Sequence, residues 1–598
     1  MASSSDRLRK QALDSINRQQ FSTAKAVLEK LCLQQPGDIQ VWLMLGAVYG
    51  ILCDYRAAEK CCRKVLRLNS GVPEAHLNLG NVLKAQLRYQ EAIASYHEAI
   101  RCRSDYLSAY HCLGNLFREV MMHDRAVETF RIALKISPDN PSVLYDLANT
   151  YRARGEIVEA VRCFQRVLAL NPGHTLAQMN LAVCMNHDSS YDRESVYREH
   201  CNWGQMLEKG QSETGCFDNI ADPERQLRIG YVSADFRMHS VAFFFESLLA
   251  NRDTGQFEVI CYSEVEQADE MTANLRSLSD GWRDTRGLSD SDMYSMIQAD
   301  SIDILVDLAG LTHGHRLGVF AMKPAPVQVN YLGYAGTTGL SRMDYRITDN
   351  LTDPPGDSDK YHTETLIRLP QCFLCYKPPL ASPPVSASPA QTSGHVTFGS
   401  FNDLTKVSPD VVRVWAEILK QVPDSRFVCK ARQLKDASVC ARYYELFSGH
   451  GIASDRIDLL GQVESAAAHL ELYSRIDIGL DTFPYNGTTT TCEALWMGIP
   501  VVGIRGERHI SRVGLSLLRN LGLNEFVAND AQGYIAIASS LANNLEYLSE
   551  LRAGLRQRLV ASPVCDAVNF TRQLEGAYRN MWRTYCAGTG RSNGHGGQ

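Results

Sequence analysis

Small and apolar side chains return on a fixed period through the first third of the chain. Ala24, Ala58, Ala92, Ala126 and Ala160 stand 34 residues apart, and Leu45, Leu79, Leu113, Leu147 and Leu181 keep the same spacing. Gly46, Gly80 and Gly114 continue as Ala148 and Ala182. Small residues at these points let two antiparallel helices approach closely while the leucines bury the seam, and Pro73, Pro138 and Pro172 punctuate the turns. The pattern predicts about five helix pairs over residues 5–173 and a further helix over 174–186, an α-solenoid spanning 5–186. Asn81, Asn115 and Asn149 share the period on the first helix of their pairs, where side-chain amides could bond a peptide backbone without reading its sequence.

Beyond a polar stretch read as a helical linker over 187–225, the helical period gives way to short apolar runs. Leu227 to Ser233, Phe257 to Tyr262, Ile302 to Leu308 and Val327 to Leu332 predict buried strands separated by helices, the sign of a parallel α/β sheet. A Pro/Ser-rich linker over 377–394 separates this first Rossmann-like domain, 226–376, from a second over 395–586. The second carries runs at His395 to Phe401, Arg426 to Cys429, Ile457 to Leu460, Ile476 to Leu480 and Pro500 to Ile504. The Gly-rich end, 587–598, is expected to be disordered. A helix-pair repeat of 34 residues resembles the tetratricopeptide repeat, whose concave groove holds extended peptides or partner proteins.

Composition narrows the function. With 61 basic and 67 acidic side chains, the formal charge is −6, too little positive field for broad nucleic-acid binding. No apolar stretch approaches the roughly 20 residues of a membrane-spanning helix. The start, Met1 to Arg7, leads into a polar helical pattern without the apolar segment of a signal peptide, so the expected location is cytoplasmic, extending to the nucleus in a eukaryotic cell. The 18 cysteines then read as reduced thiols, and the CxxC of Cys372 and Cys375, lacking a second pair or a histidine, as buried hydrophobes.

The candidate chemistry lies in loops that follow strands, where ligands of such sheets bind. After the strand ending at Leu480, Gly487 permits close backbone approach and Thr488, Thr489, Thr490 and Thr491 place hydroxyls where a helix begins. Free N–H groups and the helix dipole make such a start an anion site. Glu493, in the first turn, could accept bonds from a ribose. Asn402 to Lys406 occupy another carboxyl edge, where a lysine can neutralise a departing diphosphate. His239, in the turn after the first strand, could take a proton from an attacking hydroxyl. His469, on the helix before Ile476, could stack on or bond a base. His313-x-His315 lacks a matching carboxylate or cysteine cluster, and Asp290-x-Asp292 and Asp357-x-Asp359 lie in polar stretches as loop or cap residues, so no metal site is expected.

Repeats and loops together resemble the O-linked N-acetylglucosamine transferase and SPINDLY family over residues 5 to about 585. The motifs are Arg228 to Phe236 (RIGYVSADF), Lys323 to Gln328 (KPAPVQ), Leu332 to Gly339 (LGYAGTTG), Gly399 to Asn402 and Leu480 to Tyr485 (LDTFPY). The resemblance implies a GT-B fold and inverting, metal-independent transfer of one sugar from a nucleotide sugar to Ser or Thr hydroxyls of proteins held in the repeat groove. It places His239 on a histidine proposed as base or acceptor-site residue and Lys406 on a diphosphate-binding lysine. His469 falls on a histidine that packs by the nucleotide, Thr489 and Thr490 on phosphate-binding threonines, and Asn402 beside them in the nucleotide-sugar site. The family's peptide-binding asparagine ladder would run through Asn78, Cys112, Asp146 and Asn180, half kept here.

Thr488 and Glu493 stand where N-acetylglucosamine-transferring members have histidine and aspartate. With the segments around Cys372 and Ser562, this is similar to the SPINDLY branch, whose plant members use GDP-fucose. The resemblance therefore implies GDP-fucose slightly ahead of UDP-GlcNAc as co-substrate, with no other cofactor. Two other classes compete. A scaffold that has lost turnover would have no need of Lys406, His239 and the threonine run. A small-molecule sugar enzyme such as an epimerase would have no need of a fused solenoid.

Overall fold

The computed structural model describes residues 4–211, 217–379 and 381–592. Two compact units emerge, one of Met1–Ala153 with Ala169–Asn171, the other of Arg154–Leu168 with Pro172–Gln598.

The first unit is an all-helical stack that begins with the pair Ser4–Asn17 and Phe21–Gln34 and runs to the helix Pro141–Ala153. The periodic residues do the packing expected of them. Ala24, Ala58, Ala92 and Ala126 are fully buried, and Leu45, Leu79, Leu113 and Leu147 are buried with them. A Cβ at Gly80 or Gly114 would lie 2.5 Å from the ring of Tyr96 or Phe130, so the aromatic of the second helix fills the space the missing side chain leaves.

The second unit opens with helices Ile157–Leu170, Thr175–Asn186 and Arg193–Glu208 and then builds two parallel sheets. Its strands are β1 (Leu227–Ser233), β2 (Phe257–Ser263), β3 (Gly281–Asp284), β4 (Ile304–Asp307), β5 (Val327–Asn330), β6 (Tyr345–Asp349) and β7 (Thr365–Leu369) in the first sheet. The second has β8 (Thr397–Ser400), β9 (Arg426–Lys430), β10 (Ile457–Leu460), β11 (Ile478–Leu480), β12 (Val501–Ile504) and β13 (Val527–Ala528). The spatial orders are β3-β2-β1-β4-β5-β6-β7 and β10-β9-β8-β11-β12-β13. Each order reverses once, between β1 and β4 and between β8 and β11. In doubly wound sheets a ligand crevice opens at that reversal, outside the carboxyl ends.

β3, β6 and β7 are not foreshadowed by apolar runs, because charged residues interrupt them: Arg283 and Asp284, Arg346 and Asp349, Arg368; β13 is only two residues long. β3, β7 and β13 are edge strands. β6 is interior, and its Arg346 is buried while donating to the carbonyls of Tyr334 (2.9 Å) and Gly336 (2.7 Å).

The linker over 377–394 is tied down: Arg552 donates to the Ser386 carbonyl at 2.7 Å, Arg556 to that of Pro383 at 2.8 Å, and Ala390–Ser393 is helical. One expectation about the segment ends needs correction. The last helix, Ala567–Ser592, continues through residues expected to be disordered; 593–598 lie outside the described residues. It also packs on the first sheet rather than the second. Tyr578 meets the Tyr231 hydroxyl at 3.2 Å, and Trp582 donates to the Asp222 carbonyl at 2.9 Å, so the chain end returns to the lobe it left. Among the described residues, no helix is long and apolar enough to cross a membrane.

Candidate active site

Both sheet reversals feed one cavity. His239, Ser240, Val241 and Phe244 contribute from the turn and helix after β1, and Leu332, Gly333 and Ala335 from the loop after β5. Asn402, Asp403 and Lys406 come from the turn after β8, and Tyr485, Thr488, Thr489 and Thr490 from the loop and helix after β11. The space measures about 260 Å³ and opens to solvent.

His239 caps the helix Ser240–Asn251. Its Nδ1 accepts from the Val241 N–H at 3.3 Å and lies 3.4 Å from Asp235 Oδ1. Burial lowers its pKa; Asp235 pulls it back up and Arg237 pushes it down. The imidazole is therefore neutral at physiological pH, the form that can accept a proton.

Lys406 ends a short 3₁₀ turn, Leu404–Lys406, capped by the Asp403 carboxylate. Its ammonium donates to the Asn486 carbonyl at 2.9 Å and sits 4.2 Å from the centre of the Tyr485 ring. Burial lowers its pKa to about 8, while Asp481 and Asp403 oppose the loss of the proton.

The helix Thr489–Trp496 starts at the cavity wall with Thr488 as cap residue. A Cβ at Gly487 would lie 2.5 Å from Thr490 Oγ1, so a side chain there would displace the hydroxyls of this tight entry. Thr490 Oγ1 donates to Asn402 Oδ1 at 3.0 Å, stitching the two carboxyl edges together.

Two expected site residues are placed differently. Thr491 is 3% exposed and faces the sheet, so three hydroxyls of the run, not four, line the cavity. Glu493 lies beyond the first helical turn, with its Oε2 2.9 Å from His469 Nε2 and 3.2 Å from the Tyr473 hydroxyl. His469 receives a bond from Lys430 Nζ at 2.9 Å on its other nitrogen. His469 and Glu493 thus form a pair of their own outside the residues lining the cavity. Lys430, Tyr473 and Asp481 escaped the sequence reading because a lysine ending a strand, a tyrosine in a turn and an aspartate after a strand carry no distinctive spacing.

The candidate groove residues are engaged within the solenoid. Asn81 accepts from the Tyr96 hydroxyl (2.8 Å), Asn115 donates to Asp146 (2.9 Å), and Asn149 donates to the Tyr145 carbonyl (3.1 Å). Asn78 is half-buried. Asn180 belongs to the second unit and is buried. Cys372 and Cys375 are buried thiols, their pKa values raised by burial. His315 is held neutral, its pKa lowered by burial to about 4. Asp292 lies in a first helical turn, its N–H bonded to Ser289, while Asp357 pairs with Arg193 and Asp359 with Arg368. Among the described residues, no group of three His, Cys, Asp or Glu could hold a metal ion.

The sequence profile of glycosyl transferase family 41 matches residues 205–377 and 389–574, more than half of the chain. The chain belongs to glycosyl transferase family 41. Its cavity lies between the two lobes of a GT-B fold, preceded by tetratricopeptide repeats that are matched over 53–106 and 122–184. The chain is 44% identical over 416 residues to the probable UDP-N-acetylglucosamine–peptide N-acetylglucosaminyltransferase SPINDLY of Petunia hybrida, a match covering 69% of this chain and 44% of that protein. The SPINDLY protein of Arabidopsis thaliana is equally similar, at 44% identity over 69% of this chain and 45% of the relative. The chain thus matches less than half the length of these relatives. Among solved structures, a Thermobaculum terrenum O-GlcNAc transferase mutant superposes with a TM-score of 0.79 at 35% identity, covering 86% of this chain and 98% of that one.

Proposed function

We propose that this family 41 member is a protein O-glycosyltransferase that moves a single sugar from a nucleotide-diphosphate sugar to Ser or Thr hydroxyls of proteins, with inversion. The observation that supports this most is one cavity holding a neutral imidazole on one wall and an ammonium beside a hydroxyl-lined helix start on the other.

The acceptor oxygen attacks the anomeric carbon as the bond from that carbon to the diphosphate oxygen breaks. His239 takes the hydroxyl proton. Its imidazole is neutral and lines the cavity, the form and the place such a base requires. Charge accumulates on the departing diphosphate, where Lys406, the N–H groups of the helix start and the Thr488, Thr489 and Thr490 hydroxyls neutralise it. The acceptor is a protein segment held by the solenoid, and the expected location is cytoplasmic.

For the donor, GDP-fucose is slightly favoured over UDP-GlcNAc, from the SPINDLY-like Thr488 and Glu493. The relatives named for UDP-N-acetylglucosamine keep the second donor close. Purified protein incubated with each labelled donor, a cell extract and a metal chelator should label proteins at Ser or Thr from one donor. No incorporation from either, by folded protein, contradicts the proposal.

A further inference from the structure

Asp481 follows β11 and takes no part in the steps above. It is 2% exposed. Its Oδ1 accepts three bonds, from the N–H of Gly487 (2.6 Å), the N–H of Thr482 (2.8 Å) and Asn402 Nδ2 (3.2 Å). Gly487 opens the entry to the threonine helix, and Asn402 opens the turn that carries Lys406. One oxygen therefore ties together both elements of the diphosphate wall. The second oxygen, Oδ2, is buried with no hydrogen-bond partner among the described residues.

That arrangement is costly for a purely structural knot. An asparagine oxygen could accept the same three bonds without burying a charge, and a buried carboxylate oxygen without a donor carries an uncompensated desolvation penalty. The charge has a use only if a cation needs it, and Lys406 is set beside it: its ammonium bonds the carbonyl of Asn486, the residue before the Gly487 whose N–H bonds Asp481. We propose that Asp481 is the positioning residue of the diphosphate wall: its carboxylate keeps Lys406 as an ammonium while its Oδ1 fixes the loop at Gly487. This rests on the reading of the cavity as a nucleotide-diphosphate site.

The electrostatics agree with the geometry. Burial raises Asp481 to a pKa of about 6, Lys406 and the three bonds opposing it, and burial lowers Lys406 to about 8. Between those values the acid and the amine are both charged. The other groups facing Lys406 are Asp403 in its own turn, the Tyr485 ring and the Asn486 carbonyl, with His239 across the cavity, itself near Asp235 and Arg237. Asp403 is itself held by Gln433 and attracted by Arg432. Removing the Asp481 charge leaves Asp403 as the remaining acidic support, so the lysine should lose its proton at lower pH.

The test is calorimetric binding of GDP and of UDP to the full chain from pH 5.5 to 9.5 at constant ionic strength, for the parent protein, Asp481→Asn and Lys406→Met. The parent should hold its affinity up to about pH 8 and lose it above, as Lys406 deprotonates. In Asp481→Asn the loss should begin about one pH unit lower. Lys406→Met should show no such limb. The ratio of variant to parent affinity cancels the titration of the nucleotide itself. A limb at the same pH in folded Asp481→Asn overturns the role of Asp481 and leaves the nucleotide site standing. Should Asp481→Asn fail to fold, the parent profile decides, and affinity that does not fall above about pH 8 overturns the proposal. Absence of binding of either nucleotide by the parent overturns the site itself, and the role of Asp481 with it.

Discussion

The two walls of the cavity are built to different standards of order. On the wall after β8 and β11, Asn402, Thr490, Gly487 and Asp481 are linked by hydrogen bonds of 2.6–3.2 Å, and Lys406 bonds the Asn486 carbonyl beside them at 2.9 Å. On the wall after β1, His239 is 38% exposed at its side chain and held by contacts of 3.3 and 3.4 Å. Under the proposed function, the difference follows from what each wall would meet. A diphosphate presents the same charges in every turnover, so donors fixed in advance stabilise its departure without reorganisation. Protein acceptors vary in shape, and a loosely held base can follow them.

That contrast can be broken by substitution. The largest effect is expected from Lys406→Met, which should lower kcat by about 10²–10³-fold, the scale of losing one preorganised donor to developing charge. His239→Asn should cost about 10²-fold in kcat while leaving nucleotide affinity nearly unchanged, since general-base catalysis contributes on the order of 10²–10⁴-fold. Equal losses of nucleotide affinity in both variants would erase the distinction between the walls. Thr490→Val removes one hydroxyl and its bond to Asn402, and should weaken GDP or UDP binding by about tenfold or less, as befits roughly 1 kcal/mol. Asn115→Ala should move the KM for a protein acceptor by no more than about threefold, because its amide is already committed to Asp146. Steady-state kinetics with a fixed acceptor separates these outcomes.

The solenoid was legible because a 34-residue period repeats one packing problem, and Ala24, Ala58, Ala92 and Ala126 solve it identically. Strands whose apolar runs are long, such as β1 and β2, were equally plain. β6 was not, since Arg346 sits in its interior and its burial becomes reasonable only once Tyr334 and Gly336 supply acceptors from another loop. Of the site, the loops were legible from glycine, threonine and lysine after a strand. The direction of each side chain was not. Whether Thr491 faces the sheet or Glu493 turns to His469 depends on helix phase and on a neighbour 24 residues away in sequence. Asp481 was hidden for a different reason: an aspartate after a strand reads as a cap until its bonds to Gly487 and Asn402 are seen.

In the proposed reaction a diphosphate lies between Lys406 and the start of the threonine helix. A crystal structure of the full chain with GDP or UDP tests it most directly. The expected result places phosphate oxygens within hydrogen-bond distance of Lys406 Nζ and of the backbone N–H groups at Thr489 and Thr490, with His239 across the cavity. Electron density for the nucleotide at any other place, with this cavity holding only solvent, would contradict it.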